Sequence, residues 1–318
     1  MRLILGILAS ATIAANGSPL PAQAPRCAAP AIDSALLLHD DGRLSDDSMR
    51  GRYVGTPGNA RARDFIAARF DALGLTLTSA GRILPFAARA FGEPLRGANV
   101  AGIIRGTSHP DQYIAVTAHF DHIGTAGHGQ CRAQGGDSIC NGADDNASGT
   151  AGILALAAWF MRHPPAHSLL FVAFDAEEED DVGSQAFVAN PPVALDSVLV
   201  DVNLDMVGRN AKNELYAAGP DRFPAFRPLV VATAACTPIH LLIGHDGAGG
   251  DDWTEQSDQD AFFKRGIPFV YFGEEDHPDY HRPGDQVERL MPGFFAAAVR
   301  AAGDLVQRFD AAPVPRRR

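Results

Sequence analysis

Tyr113-Ile114-Ala115-Val116-Thr117-Ala118-His119-Phe120-Asp121-His122 is the stretch from which the fold can be read. Its first six residues are mostly Val, Ile and Ala, with none of the apolar–polar alternation of a half-exposed strand, so they read as a strand buried on both faces. Such strands belong to parallel sheets covered by helices, and sites in open α/β sheets form just beyond the strands' carboxyl ends. The His and Asp residues of this stretch stand at that place. Working outward, Ala98–Ile104 is a second short buried strand, and Ala60–Leu75 before it is a helix with Phe65, Ile66, Phe70 and Leu73 on one face. Downstream come an almost wholly apolar helix over Ala147–Met161, a strand at Ser168–Asp175, a short helix near Ser184–Val188 and a strand at Ser197–Asp205. Phe223–Ala235 reads as a helix, Pro268–Phe272 as a strand and Gly293–Phe309 as a closing helix. Strands and helices alternating at this spacing predict an α/β fold in a single domain: a mostly parallel central sheet with helices on both faces.

The composition fits. The chain has 318 residues, 46% hydrophobic and 20% charged, and its net charge of -11 is spread along its length, which argues against a nucleic-acid partner. Arg2, the apolar run Leu3–Ala15 and Ala22-Gln23-Ala24 read as a signal peptide over residues 1–24. That run is too short to span a bilayer, and no later stretch reaches about 18 apolar residues, so the expected product is exported, secreted or periplasmic, without a membrane anchor. Residues 25–50 read as an Ala/Pro/Asp-rich lead-in with little periodicity, 51–310 as the folded domain and 311–318 as a flexible tail. In an oxidising compartment Cys131 and Cys140 are expected to close a short surface loop, while pairing of Cys27 with Cys236 stays open. No Cys-x-x-Cys pattern is present, which argues against a thiolate zinc site. Nothing in the sequence assigns an oligomeric state.

Clusters of acids and histidines fall at the strand ends. Strand alternation places His119 and Asp121 on one side, so that the carboxylate would either orient the imidazole or share its ligand shell. Asn141-Gly142-Ala143-Asp144-Asp145-Asn146-Ala147-Ser148-Gly149 precedes the apolar helix, whose amino end favours a carboxylate. Glu177-Glu178-Glu179-Asp180-Asp181 follows the third strand. A solvated charge run accounts for Glu179 to Asp181, but Glu177 and Glu178 abut a buried strand. Asp205 ends the next strand, and His281 lies in the Pro-flanked segment His277-Pro278-Asp279-Tyr280-His281-Arg282-Pro283. Together these supply two imidazoles, a central carboxylate and two more, the ligands for two zinc ions sharing one carboxylate, with a further carboxylate left as general base.

In this order the motifs His-x-Asp, Gly-Ala-Asp-Asp-Asn-Ala-Ser-Gly, Glu-Glu, Asn-Leu-Asp-Met and Asp-Tyr-His resemble the secreted co-catalytic zinc aminopeptidases of metallopeptidase family 28, whose relatives include glutamate carboxypeptidase and glutaminyl-cyclase-like proteins. Gly55-Thr56-Pro57-Gly58-Asn59 and Ser257-Asp258 followed by Phe262 look like further signatures, and the likeness runs from about residue 50 to 310. It implies a zinc exopeptidase (phosphorylase/hydrolase-like) fold and an aminopeptidase with two Zn2+ per chain acting on peptides. His119, Asp145 and Asp205 would hold one zinc, and Asp145, Glu178 and His281 the other. Glu177 would be the general base, Tyr280 would help polarise the scissile carbonyl and Asp121 would support His119. A cis peptide between Asp145 and Asn146 is also implied.

The chain departs from the family pattern in three places. The short segment between Leu75 and Asn99 has no room for a protease-associated insert, Asp180-Asp181 replace the usual Gly and apolar residue, and Gln259 stands where a His is common. Acidic residues (Glu179, Asp180, Asp181, Asp251, Asp252, Glu274, Glu275 and Asp276) outnumber Arg209 and Arg282 near the motifs, which suits a protonated amino terminus better than a carboxylate. The other readings are a glutaminyl-cyclase-like acyltransferase using one zinc, a dipeptidase or carboxypeptidase of the same family, and a catalytically inert binding module, which would be expected to have lost Glu177 or a ligand.

Overall fold

A computed structural model describes residue 27 and residues 29–247 and 251–312, so the expected signal peptide and nearly all of the expected tail lie outside the described residues. The stretch expected to be an aperiodic lead-in contains helix α1 (Ser34–Leu44), started by the Asp33 carboxylate, which accepts from the Ala35 and Leu36 amides. Helix α2 (Pro57–Leu73) is capped by the Thr56 hydroxyl, begins with proline and stops at Gly74 in the left-handed conformation. A hairpin of β1 (Ile83–Ala90) and β2 (Glu93–Ile104) leads to β3 (His109–His119), whose far end carries the small ribbon β4 (Gly124–Thr125) and β5 (His128–Gly129). Then come α3 (Gly149–Arg162), β6 (His167–Phe174), α4 (Val182–Ala189), β7 (Val198–Leu204) and β8 (Glu214–Ala218). The chain continues through α5 (Arg227–Ala234), β9 (His240–Ile243), α6 (Gln259–Lys264), β10 (Phe269–Gly273) and α7 (Pro292–Ala311). Helix α5 is shorter than the sequence suggested, its first turn being a separate 3-10 turn at Pro224–Phe226.

Eight strands form one sheet in the order β1-β2-β6-β3-β7-β10-β8-β9. Its centre, β6, β3, β7 and β10, is parallel throughout. Strand β2 is antiparallel to β6 and β8 to β10, while β9 is parallel to β8. The four central strands therefore deliver His119, Phe174, Leu204 and Gly273 to one edge of the sheet. There β3 is also the point where the strand order turns, since its successors β6 and β7 lie on opposite sides of it.

Every residue of β6 is buried, which explains its unbroken apolar run. Leu169, Phe171 and Ala173 face a large core with Ile66, Phe70, Leu154, Phe160, Phe295 and Leu305. Leu170, Val172 and Phe174 face a smaller one with Phe187 and Phe262. Truncating a buried ring such as Phe171 to alanine would cost about 3–5 kcal/mol. Both disulfides form, the expected Cys131–Cys140 and the open pair Cys27–Cys236, and no described helix is long and apolar enough to cross a membrane.

Candidate active site

The loop after β3 reaches the sheet edge because three separate parts of the chain hold it. The amides of Asp144 and Asp145 donate to the carboxylate of Asp285 at 3.0 Å. The Asn146 side chain donates to Leu204 O at the end of β7 and accepts from the Gly149 amide, at 2.9 and 2.8 Å. Beneath the loop, Arg52 is fully buried and donates to the carbonyls of Leu44, Phe120, Asn141 and Gly142. Gly142 has φ +57°, and a Cβ there would sit 2.1 Å from Asp145 O and 2.5 Å from the His122 ring, so only glycine fits. The Asp145–Asn146 peptide is cis.

Around this loop the sequence-predicted residues come together. His119 Nε2 lies 3.5 Å from Asp145 Oδ1, 3.3 Å from Asp205 Oδ1 and 3.8 Å from Glu177 Oε2. His281, at a left-handed position with φ +54°, places Nε2 3.1 Å from Asp145 Oδ2 and 3.2 Å from Glu178 Oε2. Asp121 lies below them, 3.6 Å from His119 Nδ1, and its carboxylate accepts from the amides of Glu177 and Glu178 at 3.0 and 3.3 Å. Tyr280 lines the cavity with its ring stacked on His281 at 4.0 Å.

Four residues that sequence reasoning left without a role belong to this assembly. His122 Nδ1 is 2.7 Å from Glu178 Oε1 and 3.6 Å from Asp145 Oδ2, which adds a third imidazole to the cluster. Its signal was a second histidine three positions after His119. Asp285 and Arg52 act through backbone atoms distant in sequence and left no local signal, and Tyr271, inside β10, forms a cavity wall. One expectation is corrected. Glu179 is buried, held by Gln130 Nε2 at 2.9 Å, and is no part of a solvated run. Arg209 is engaged with Asp279 at 2.9 Å. Gln259, at the position where a His was noted as common, is buried between Asn203 and the Trp253 carbonyl.

The donors form two groups, His122, Asp145, Glu178 and His281, and His119, Glu177 and Asp205, each compact enough for a metal ion. The buried atoms His119 Nδ1 and His122 Nε2 have no hydrogen-bond partner among the described residues. Burying this many carboxylates is costly unless cations accompany them. Burial pushes Glu177 well above the usual carboxylate range, with His119 opposing and Asp205 adding to the rise. Burial alone would lower His281, but Asp145 and Glu178 outweigh it and raise the imidazole to about 11. Imidazole and carboxylate donors without thiolate suit zinc, so the donor set fits that metal.

A third cluster, Asp144, Glu274 and His277, lies behind the site. Burial, reinforced by Asp144, pushes Glu274 up to about 12, so it keeps its proton at neutral pH. In front, a cavity of about 280 Å³ opens over His119, Asp145, Glu177 and Asp205. On its rim are Asp251, Glu275 and Asp276, with His245 bonding Asp251 and Glu275 at 3.0 and 3.3 Å and stacking on Trp253 at 3.8 Å.

Residues 99–306 match Peptidase family M28. Aminopeptidase YwaD of Bacillus subtilis is 31% identical over 223 residues, 65% of this chain and 43% of that protein. A probable zinc metalloprotease of Pyrenophora teres f. teres is 31% identical over 156 residues, 48% of this chain and 32% of that protein. The chain thus spans less than half the length of either curated relative. Among solved structures, BSAP, a zinc aminopeptidase from Bacillus subtilis, superimposes with a TM-score of 0.69 at 19% identity, covering 87% of this chain and 95% of that one. Porphyromonas gingivalis glutaminyl cyclase gives 0.71 at 20% identity, covering 88% and 98%. At such identities these two structures establish the shared fold.

Proposed function

The chain belongs to peptidase family M28, and we propose that it is a zinc-dependent exopeptidase, an aminopeptidase that removes N-terminal residues from peptides. The observation that carries this reading is the Asp145 carboxylate, whose two oxygens face different imidazoles, Oδ1 toward His119 and Oδ2 toward His281. On this reading the chain binds two zinc ions. His119, Asp145 and Asp205 would hold one and Asp145, Glu178 and His281 the other, with His122 steadying Glu178 through its Oε1. When bound, such ions acidify a nearby water and polarise a carbonyl.

The chain's own groups do the rest. Glu177 takes the proton of the attacking water and returns it to the leaving amine, and burial raises its carboxyl well above the usual carboxylate range. Tyr280, which burial keeps protonated, donates to the scissile carbonyl oxygen as charge develops there. Asp121 sets its charge 3.6 Å from His119 Nδ1 and carries the Glu177–Glu178 turn on its carboxylate. The acidic rim receives the protonated amino terminus of the substrate. The names of the Bacillus and Pyrenophora relatives, an aminopeptidase and a zinc metalloprotease, support the reaction class and the metal. The signal peptide read in residues 1–24 and the two disulfides support export to an oxidising compartment, with residues 51–310 as the catalytic domain.

The test is to strip the protein with a chelator, restore Zn2+ and offer three substrates: a peptide with a free amino terminus, its acetylated form, and a peptide beginning with glutamine. Release of the first residue from the free form alone, lost on chelation and regained with zinc, is expected. Trimming from the carboxyl end would instead indicate a carboxypeptidase, and ring closure of the glutamine peptide without release of free glutamine a cyclase.

A further inference from the structure

A second cavity, of about 530 Å³, adjoins the first and shares Tyr280 and His281 with it as a common wall. A peptide whose scissile bond lies over Asp145 and Glu177 would place one half in each cavity. Their charges are opposite. Asp251, Glu275 and Asp276 line the first cavity, which has no Lys or Arg in its lining. The second is lined by Arg132 and Arg282 together with Gln130 and Gln134, and no carboxylate lines it.

Neither guanidinium has a hydrogen bond or ion pair among the described residues. By contrast, Arg209 and Arg289, on the far side of the His277–His281 turn, both engage Asp279. The backbone under Arg132 is well fixed. The Cys131–Cys140 disulfide closes its loop, the amides of Cys131 and Cys140 bond Ile123 O and Gly124 O at 3.1 and 3.0 Å, and Gln130 bonds Glu179. Arg282 directly follows His281, and its amide is held by Asp279 O at 3.0 Å.

We propose that this second cavity receives the leaving-amine half of the substrate and that Arg132 and Arg282 bind a carboxylate on it. The preferred substrates are then short peptides that end, just beyond the scissile bond, in a free carboxyl group. The inference rests on the aminopeptidase reading and adds its substrate class. A carboxylate on this half comes either from the chain terminus or from an acidic side chain, and a planar guanidinium recognises both.

The experiment compares kcat/KM of the zinc-loaded full chain on Leu-Gly-Gly, Leu-Gly-Gly-amide and Leu-Asp-Gly-amide. The free acid should be preferred over its amide by about tenfold, as expected for one charge-assisted contact at a partly solvated site. Higher salt should shrink that ratio. In Arg132→Ala and Arg282→Ala it should fall toward one, and Arg132→Glu should reverse its sign, which a merely misfolded loop would not do. A gain confined to Leu-Asp-Gly-amide would move the recognised group to a side chain and overturn the terminal-carboxylate assignment. Equal cleavage of all three would overturn the subsite while leaving the aminopeptidase reading in place, whereas no cleavage of any of them would overturn both.

Discussion

The floor of the site and its rim are held in different ways. On the floor, Asp145 is held by Asp285 through its amide, Asp121 by the Glu177 and Glu178 amides, and Glu178 by His122, and nearly every supporting atom is buried. On the rim, Asp251 and Glu275 are exposed and pair with His245, while Arg132 and Arg282 have no side-chain partner among the described residues. Preorganisation of this kind is what bond breaking requires, since a floor that moved by an ångström would lose much of its advantage. Solvated, adjustable charges suffice to select which peptide arrives, because each is worth little by itself. The difference suggests that changes on the floor should alter the reaction, whereas changes on the rim should alter mainly its substrates.

Five measurements would break or sharpen that contrast, beginning with the largest effect. Glu177→Gln should lower kcat by about 10³-fold, within the range for a removed general base, while zinc content stays at the wild-type value. Metal loss in that variant would instead make Glu177 a ligand. His281→Ala should lose one zinc per chain, counted by elemental analysis, and about a hundredfold or more in activity. Asp285→Ala touches no metal in our assignment, so a fall of about 10–100-fold in zinc affinity would show that the floor acts through its supports. A wild-type affinity there would break the contrast. Asp251→Asn combined with Glu275→Gln should raise KM by about threefold or less and leave kcat alone, since exposed charges contribute on the order of 0–1 kcal/mol.

The last measurement concerns stability. Burial pushes Asp201, bonded by the Thr117 hydroxyl at 2.9 Å, up to about 8. The folded chain therefore keeps a proton that the unfolded chain releases near pH 4, and this group makes stability fall as pH rises from about 4 to 8. Asp201→Asn should remove that decline, giving a variant about 1–3 kcal/mol more stable than wild type at pH 8 and little different at pH 4, read by denaturant melts.

The central sheet was legible in the sequence because its parallel strands are buried on both faces and so spell themselves as apolar runs, β6 most plainly. The candidate ligands were legible for a related reason: a charge directly after such a run has no place in a core unless it serves a site. Strand β1, at the sheet edge, is only partly buried, and Pro85 inside its apolar stretch Ile83–Ala88 argued against a strand there. Helix α1 was hidden because two of its four buried residues, Asp40 and Asp41, are acids. His122, Asp285 and Arg52 were missed because their partners are backbone atoms or side chains far along the chain, which no spacing rule links. The rim was visible as a count of acids, but the opposite charge of its two sides appears only when the Cys131–Cys140 loop is folded against Arg282.

Arg52 has a practical consequence. The family match opens at residue 99, so this guanidinium lies upstream of it, yet it ties α1, the end of β3 and the Asn141–Gly142 backbone into a single knot. A truncated version beginning at the matched boundary would lose Arg52 and Leu44 together and leave the carbonyl oxygens of Phe120, Asn141 and Gly142 facing a hole shaped for a planar cation. The smallest portable form of the proposed active site must therefore include the helix ahead of Arg52 as well as the motifs by which the family is detected.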